Sequence, residues 1–82
     1  MNYKLTKHAQ EAMEKRRISR EWLEHALLQP EWIEPDPVDP ALEHRLSAIE
    51  EFEGRVLRVI VNVNADPPRV ITVYFDRRRK RP

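Results

Sequence analysis

HRLSAIEEFEGRVLRVIVNV, residues 44–63, decides the fold. Its apolar residues recur at every second position, the period of a strand whose side chains alternate between two faces. Residues 44–52 read as one strand and residues 55–63 as the next. The Glu53–Gly54 step between them is a tight turn, because Gly54, the only glycine, adopts φ > 0 without strain. The second strand is apolar on both faces, as a central strand is. Residues 70–75, VITVYF, are β-branched and aromatic and make a third strand beyond the loop at residues 64–68.

Upstream the period changes to that of a helix. Thr6 suits the N-cap of a helix over residues 7–17, with Ala9, Ala12 and Met13 on one face. Ser19 caps a second helix, with Glu21 in its first turn and Trp22, Leu23, Ala26 and Leu27 as its apolar stripe. Ile18, just ahead of that cap, staples onto Leu23, and Pro30 ends the helix. Residues 30–41, PEWIEPDPVDPA, contain four prolines, which forbid a central strand or a helix interior. An extended connector anchored by Trp32 and Ile33 is expected. Residues 3–5 are candidates for a short fourth strand. The order (β)ααβββ predicts an α+β fold: a helical hairpin packed on one face of a three- to four-stranded antiparallel sheet. Residues 1–76 form a single domain in this reading, and residues 77–82 a basic C-terminal tail.

With 82 residues and no cysteine, the chain suits one domain and excludes both disulfides and thiolate zinc sites. No apolar run reaches the roughly 20 residues that span a bilayer. MNYKLTKH lacks the apolar core of a secretory signal. A soluble cytoplasmic domain, monomeric or a small homo-oligomer, is expected. Charge is segregated: residues 31–53 carry one base against eight acids, whereas residues 54–82 carry eight bases against two acids. Five of those bases form the run Arg77, Arg78, Arg79, Lys80 and Arg81, a candidate nucleic-acid-binding segment or a solvated tail. The acidic middle offers a surface for a basic partner.

Alternation assigns the faces. Ile71, Val73 and Phe75 belong under the helices, leaving Val70, Thr72 and Tyr74 on the uncovered face, with Arg58 from the central strand. Arg45 is expected to join Arg58 there. Two guanidiniums, a phenol and a hydroxyl on one surface suit a phosphodiester; the same set also suits a solvated face with cross-strand polar pairs. Arg16 falls within the apolar stripe of the first helix and is expected to snorkel outward near the helix end. His8, in the first turn of that helix, is a candidate general base. The spacing of His8, His25 and His44 gives no support for a metal, and no cofactor is implied.

LTKHAQEAMEKRRIS, residues 5–19, resembles the opening of a small uncharacterised bacterial domain family: a helix starting His-Ala, an arginine further on, and Ile-Ser before the second helix. GRVLRVIVNV and VITVYFDRR are similar to its closing strand pair. EHRLSAIEEFEGRVLRVIV also resembles the BrnT toxins, in which a Glu-x-Arg strand precedes a Gly-Arg-x-Leu strand. Both groups are linked to the RelE-like fold of type II toxin–antitoxin ribonucleases. The resemblance implies metal-independent RNA cleavage through the 2′-OH, and neutralisation by an antitoxin protein. His8, Arg16, Arg45 and Thr72 match the motifs; Arg58 and Tyr74 complete the catalytic candidates from the face assignment. The chain departs from the pattern at Ala12, where the family often has an arginine.

Overall fold

The computed structural model describes residues 2–80, in the order β1 (Lys4–Leu5), α1 (Lys7–Arg16), α2 (Arg20–Leu28), β2 (Trp32–Pro35), β3 (Leu42–Ile49), a 3-10 turn (Glu50–Phe52), β4 (Arg55–Asn62) and β5 (Arg69–Asp76). The strands form one five-stranded sheet, β1-β5-β4-β3-β2. β1 pairs with β5 in parallel; all other pairs are antiparallel. The α+β class and the hairpin on one face are as the pattern predicts. The sheet is larger than expected, and mixed.

Two departures have clear causes. Residues 32–35 form an edge strand, not a bare connector: prolines are excluded from central strands but tolerated at an edge, where Pro35 has no N–H to expose. The strand expected to reach Phe52 stops at Ile49, and Phe52 turns onto the helical side. There it stacks with Trp22 at 5.8 Å and meets Phe75 at 4.8 Å between ring centroids. Glu53 and Gly54 close this turn with φ of 59° and 70°.

The helices are capped as their sequences suggest. The Thr6 hydroxyl accepts the Ala9 N–H at 3.0 Å and the Ser19 hydroxyl accepts that of Trp22 at 3.0 Å. α1 ends in a Schellman arrangement. Arg17 sits in the left-handed region at φ 54°, and the Arg17 and Ile18 N–H groups donate to Glu14 and Met13 carbonyls. Ala9 and Ala12, both buried, let α1 lie close on β5, while α2 covers β3 and β4. Under the hairpin lie Ile49, Leu57, Val59, Val61, Val70 and Val73.

Val70 belongs to that core because of a bulge. Ile60 pairs with Thr72 and Val61 with Val70, so Ile71 is the extra residue. The expected face assignment of Val70 is therefore reversed. The Ile71 carbonyl, left out of the ladder, accepts the Thr6 hydroxyl proton at 3.0 Å. One threonine thus caps α1 and satisfies the bulge.

Candidate functional site

The face of the sheet away from the helices is ordered in rows by the strand register. Glu34, His44, Ile60 and Thr72 form one row, and Trp32, Leu46, Arg58 and Tyr74 the next. Ala48, Val56 and Asp76 form a third. This face is not bare: Leu46 and Val56 are fully buried, and Arg58 is 8% exposed.

Arg58 is the hub. Its Nε and Nη2 both donate to Asp76 Oδ2, at 3.1 and 2.8 Å. Its Nη1 donates to Glu34 Oε1 at 3.2 Å and to His44 Nδ1 at 2.7 Å. A guanidinium has no acceptor, so His44 Nδ1 carries no proton. The ring proton is on Nε2, which donates to Asp36 Oδ1 at 2.7 Å. Asp36 Oδ2 also accepts the Asp39 and Val38 N–H groups, at 2.9 and 3.0 Å. The Asp39 N–H, His44 and the Val38 N–H together hold the Asp36 pKa down to about 2. Burial works against the Asp76 charge. The Arg78 N–H, at 3.0 Å, and the Arg58 guanidinium outweigh it and hold the Asp76 pKa below the ordinary value.

The expected pairing of Arg45 with Arg58 does not form. In the register Arg45 lies opposite Ile33 and Val59, on the helix side. Its Nη1 donates to the Leu27 carbonyl at 2.7 Å and its Nε to Glu43 Oε2 at 2.7 Å. It is spent on one orphan carbonyl near the end of α2 and on Glu43. The alternation was sound, but the choice of face was not, since Ser47 and Arg45 share the helix side with Ile49.

His8 and Arg16 are exposed at opposite ends of α1, separated by about 12 Å of helix rise. Neither is on the Arg58 face. Thr72 and Tyr74 are, half-buried, and their hydroxyls form no hydrogen bond to a described residue. Of the tail, Arg77, Arg78 and Lys80 are exposed, and Arg81 lies outside the described residues. Arg79 forms an ion pair with Glu34. A turn in which the Arg79 N–H donates to the Asp76 carbonyl at 3.2 Å starts this segment across the sheet.

Asp36, Glu34, His44 and Asp76 were missed as partners in sequence. Asp76 was within reach, since it lies on the same side of β5 as Tyr74, one step from the neighbour of Arg58. Among the described residues no group of three or more His, Cys, Asp or Glu side chains is placed to hold a metal ion. Nor is any described helix long and apolar enough to cross a membrane.

Residues 5–75 match the profile of a domain of unknown function, DUF4258. The chain belongs to the DUF4258 family. No curated protein and no solved structure matches it. In this DUF4258 chain the matched stretch takes in β5 up to Phe75, and the basic run beginning at Arg77 follows it. Ala12, the position of the departure noted above, is buried between α1 and the sheet and here serves packing.

Proposed function

We propose that the domain is a non-catalytic interaction module of RelE/BrnT-like type that holds single-stranded nucleic acid through exposed cations. One observation carries this: the guanidiniums that cleavage would need on the sheet are already matched by the protein's own acceptors. Arg58 is bound to Asp76, Glu34 and His44, and Arg45 to Leu27 and Glu43. The same contacts argue against an acidic docking surface, because Glu34 and Glu43 are counter-charges within the fold and Asp36 is taken up by His44 and two main-chain N–H groups. Arg77 and Lys80 are exposed and in no salt bridge between described residues, and Arg55 rests on the Phe52 ring. Cations of this kind neutralise phosphates and release counterions. The test is anisotropy of a labelled single-stranded RNA over a salt series. Salt-sensitive binding, lost on deletion of residues 77–82 and without turnover, is expected. Salt-independent binding, or none, overturns the proposal.

A second proposal is retained: an antitoxin-neutralised, metal-independent endoribonuclease that uses the RNA 2′-OH. The Thr72 and Tyr74 hydroxyls on the Arg58 face, which bond to no described residue, favour it. Its candidates on the sheet are Arg58, Thr72 and Tyr74; Arg45, His8 and Arg16 lie off that face. RNA incubated with the protein in EDTA, with and without ribosomes, together with growth of bacteria expressing it, decides. Cleavage abolished by Tyr74→Phe supports it. Intact RNA and normal growth exclude it.

A further inference from the structure

The end of the sheet carries a second feature. A cleft of about 780 Å³ opens between the β3–β4 turn and the segment that follows β5. Its lining includes Arg55, Arg77, Arg79 and Lys80 on one side of the charge balance, and Glu53 and Asp76 on the other. Two of these six are already committed: Asp76 to Arg58, and Arg79 to Glu34. Three cations then face one acid. Arg55 is held by an aromatic face and by no carboxylate of the described residues: its guanidinium lies 4.7 Å from the Phe52 centroid. A ring positions the fork and leaves its N–H donors free for an incoming anion.

The second wall is Phe75, half-buried and packed edge-on to Trp22. Gly54 forms part of the rim at φ 70°, and no atom lies within 4 Å of where a Cβ would stand, so the rim is open there. We infer that this cleft is a phosphodiester subsite for single-stranded RNA, with Arg55, Arg77 and Lys80 around one phosphate. The inference rests on the nucleic-acid-binding proposal above and deepens it by adding a residue from β4 that the tail alone does not contain. The rigid strand residue sets where the strand lies, and the two segment residues close over it.

The test uses the full chain and a fluorescein-labelled twelve-nucleotide oligouridylate, with thermal melts to confirm folding of each variant. Arg55→Ala is expected to weaken binding about tenfold and to lower the salt slope by at most about 0.7, the single-strand value for one phosphate. Arg55→Lys restores most of the slope but not all of the affinity, since it keeps the charge and loses the fork. Lys15→Ala, on exposed α1, leaves binding unchanged. If Arg55→Ala binds as tightly as the unaltered protein while removal of residues 77–82 abolishes binding, the subsite is wrong and the tail-based proposal stands. If the unaltered protein fails to bind the oligonucleotide, both fall.

Discussion

Arg58 shows how one residue is committed by its neighbours. Its side chain is 10% exposed and that of Asp76 9% exposed. Removing the guanidinium leaves Asp76 buried without its partner, and breaking such a pair from one side costs about 3–5 kcal/mol. Arg58→Leu is therefore expected to lower the urea midpoint sharply, and Arg58→Leu with Asp76→Leu to recover much of the loss. Two backbone positions carry smaller effects of opposite sign. Arg17 occupies the left-handed region, so Arg17→Gly relieves strain and should stabilise by about 0.5–1 kcal/mol. Gly54 has φ 70° and open space beyond it, so Gly54→Ala should cost about 1 kcal/mol from backbone strain alone. Acid acts on the same network. The pKa values of Asp36 and Asp76 are both depressed in the folded state. Both contributions are complete above the unfolded value of about 4; that of Asp36 is lost as pH falls toward about 2, and that of Asp76 is also lost in acid, below its ordinary range. Urea midpoints at pH 5, 3.5 and 2.5 should fall in that order, and Asp36→Asn should flatten the decline.

At the scale of elements, Thr6 links a helix, a bulge and an edge strand. Its hydroxyl accepts from Ala9 and donates to Ile71, and its N–H donates to the Val70 carbonyl at 3.1 Å. Thr6→Ala should cost about 1–2 kcal/mol by equilibrium denaturation, the upper range for a lost cap. Thr6→Ser, which keeps both bonds, should lose much less. The helices, β3, β4 and β5 were legible because each follows from a local signal: caps at Thr6 and Ser19, Pro30, Gly54 and period-two runs. β2 was not, because its partner β3 lies beyond a proline-rich turn and edge pairing leaves no period in four residues. The bulge was invisible for a related reason. Val70 and Ile71 are equally apolar, and only the register with Ile60 and Val61 tells which faces inward. Arg45 was misplaced because a cation among apolar neighbours reads as solvent-facing. Its partner is a main-chain carbonyl of α2, which has no signature in side-chain chemistry.

For the molecule as a whole, charge segregation along the chain becomes charge pairing across the sheet. The acidic middle supplies Glu34, which meets Arg58 and Arg79 from the basic end, while Glu43 pairs with Arg45 along β3 and Asp36 accepts from His44. The guanidinium of β4 is thereby clasped by groups from β2, from β3 and from the end of β5, positions that lie far apart along the backbone. Such a clasp links the fates of the sheet margins. Opening β2 alone would take Glu34 from a buried cation, and releasing the end of β5 would take Asp76 from it. Amides of β2 and of the last turn of β5 should therefore exchange with deuterium through a single shared opening, at one common rate, while β1, tied by Lys4 to Arg69 and Leu5 to Val70, frays on its own.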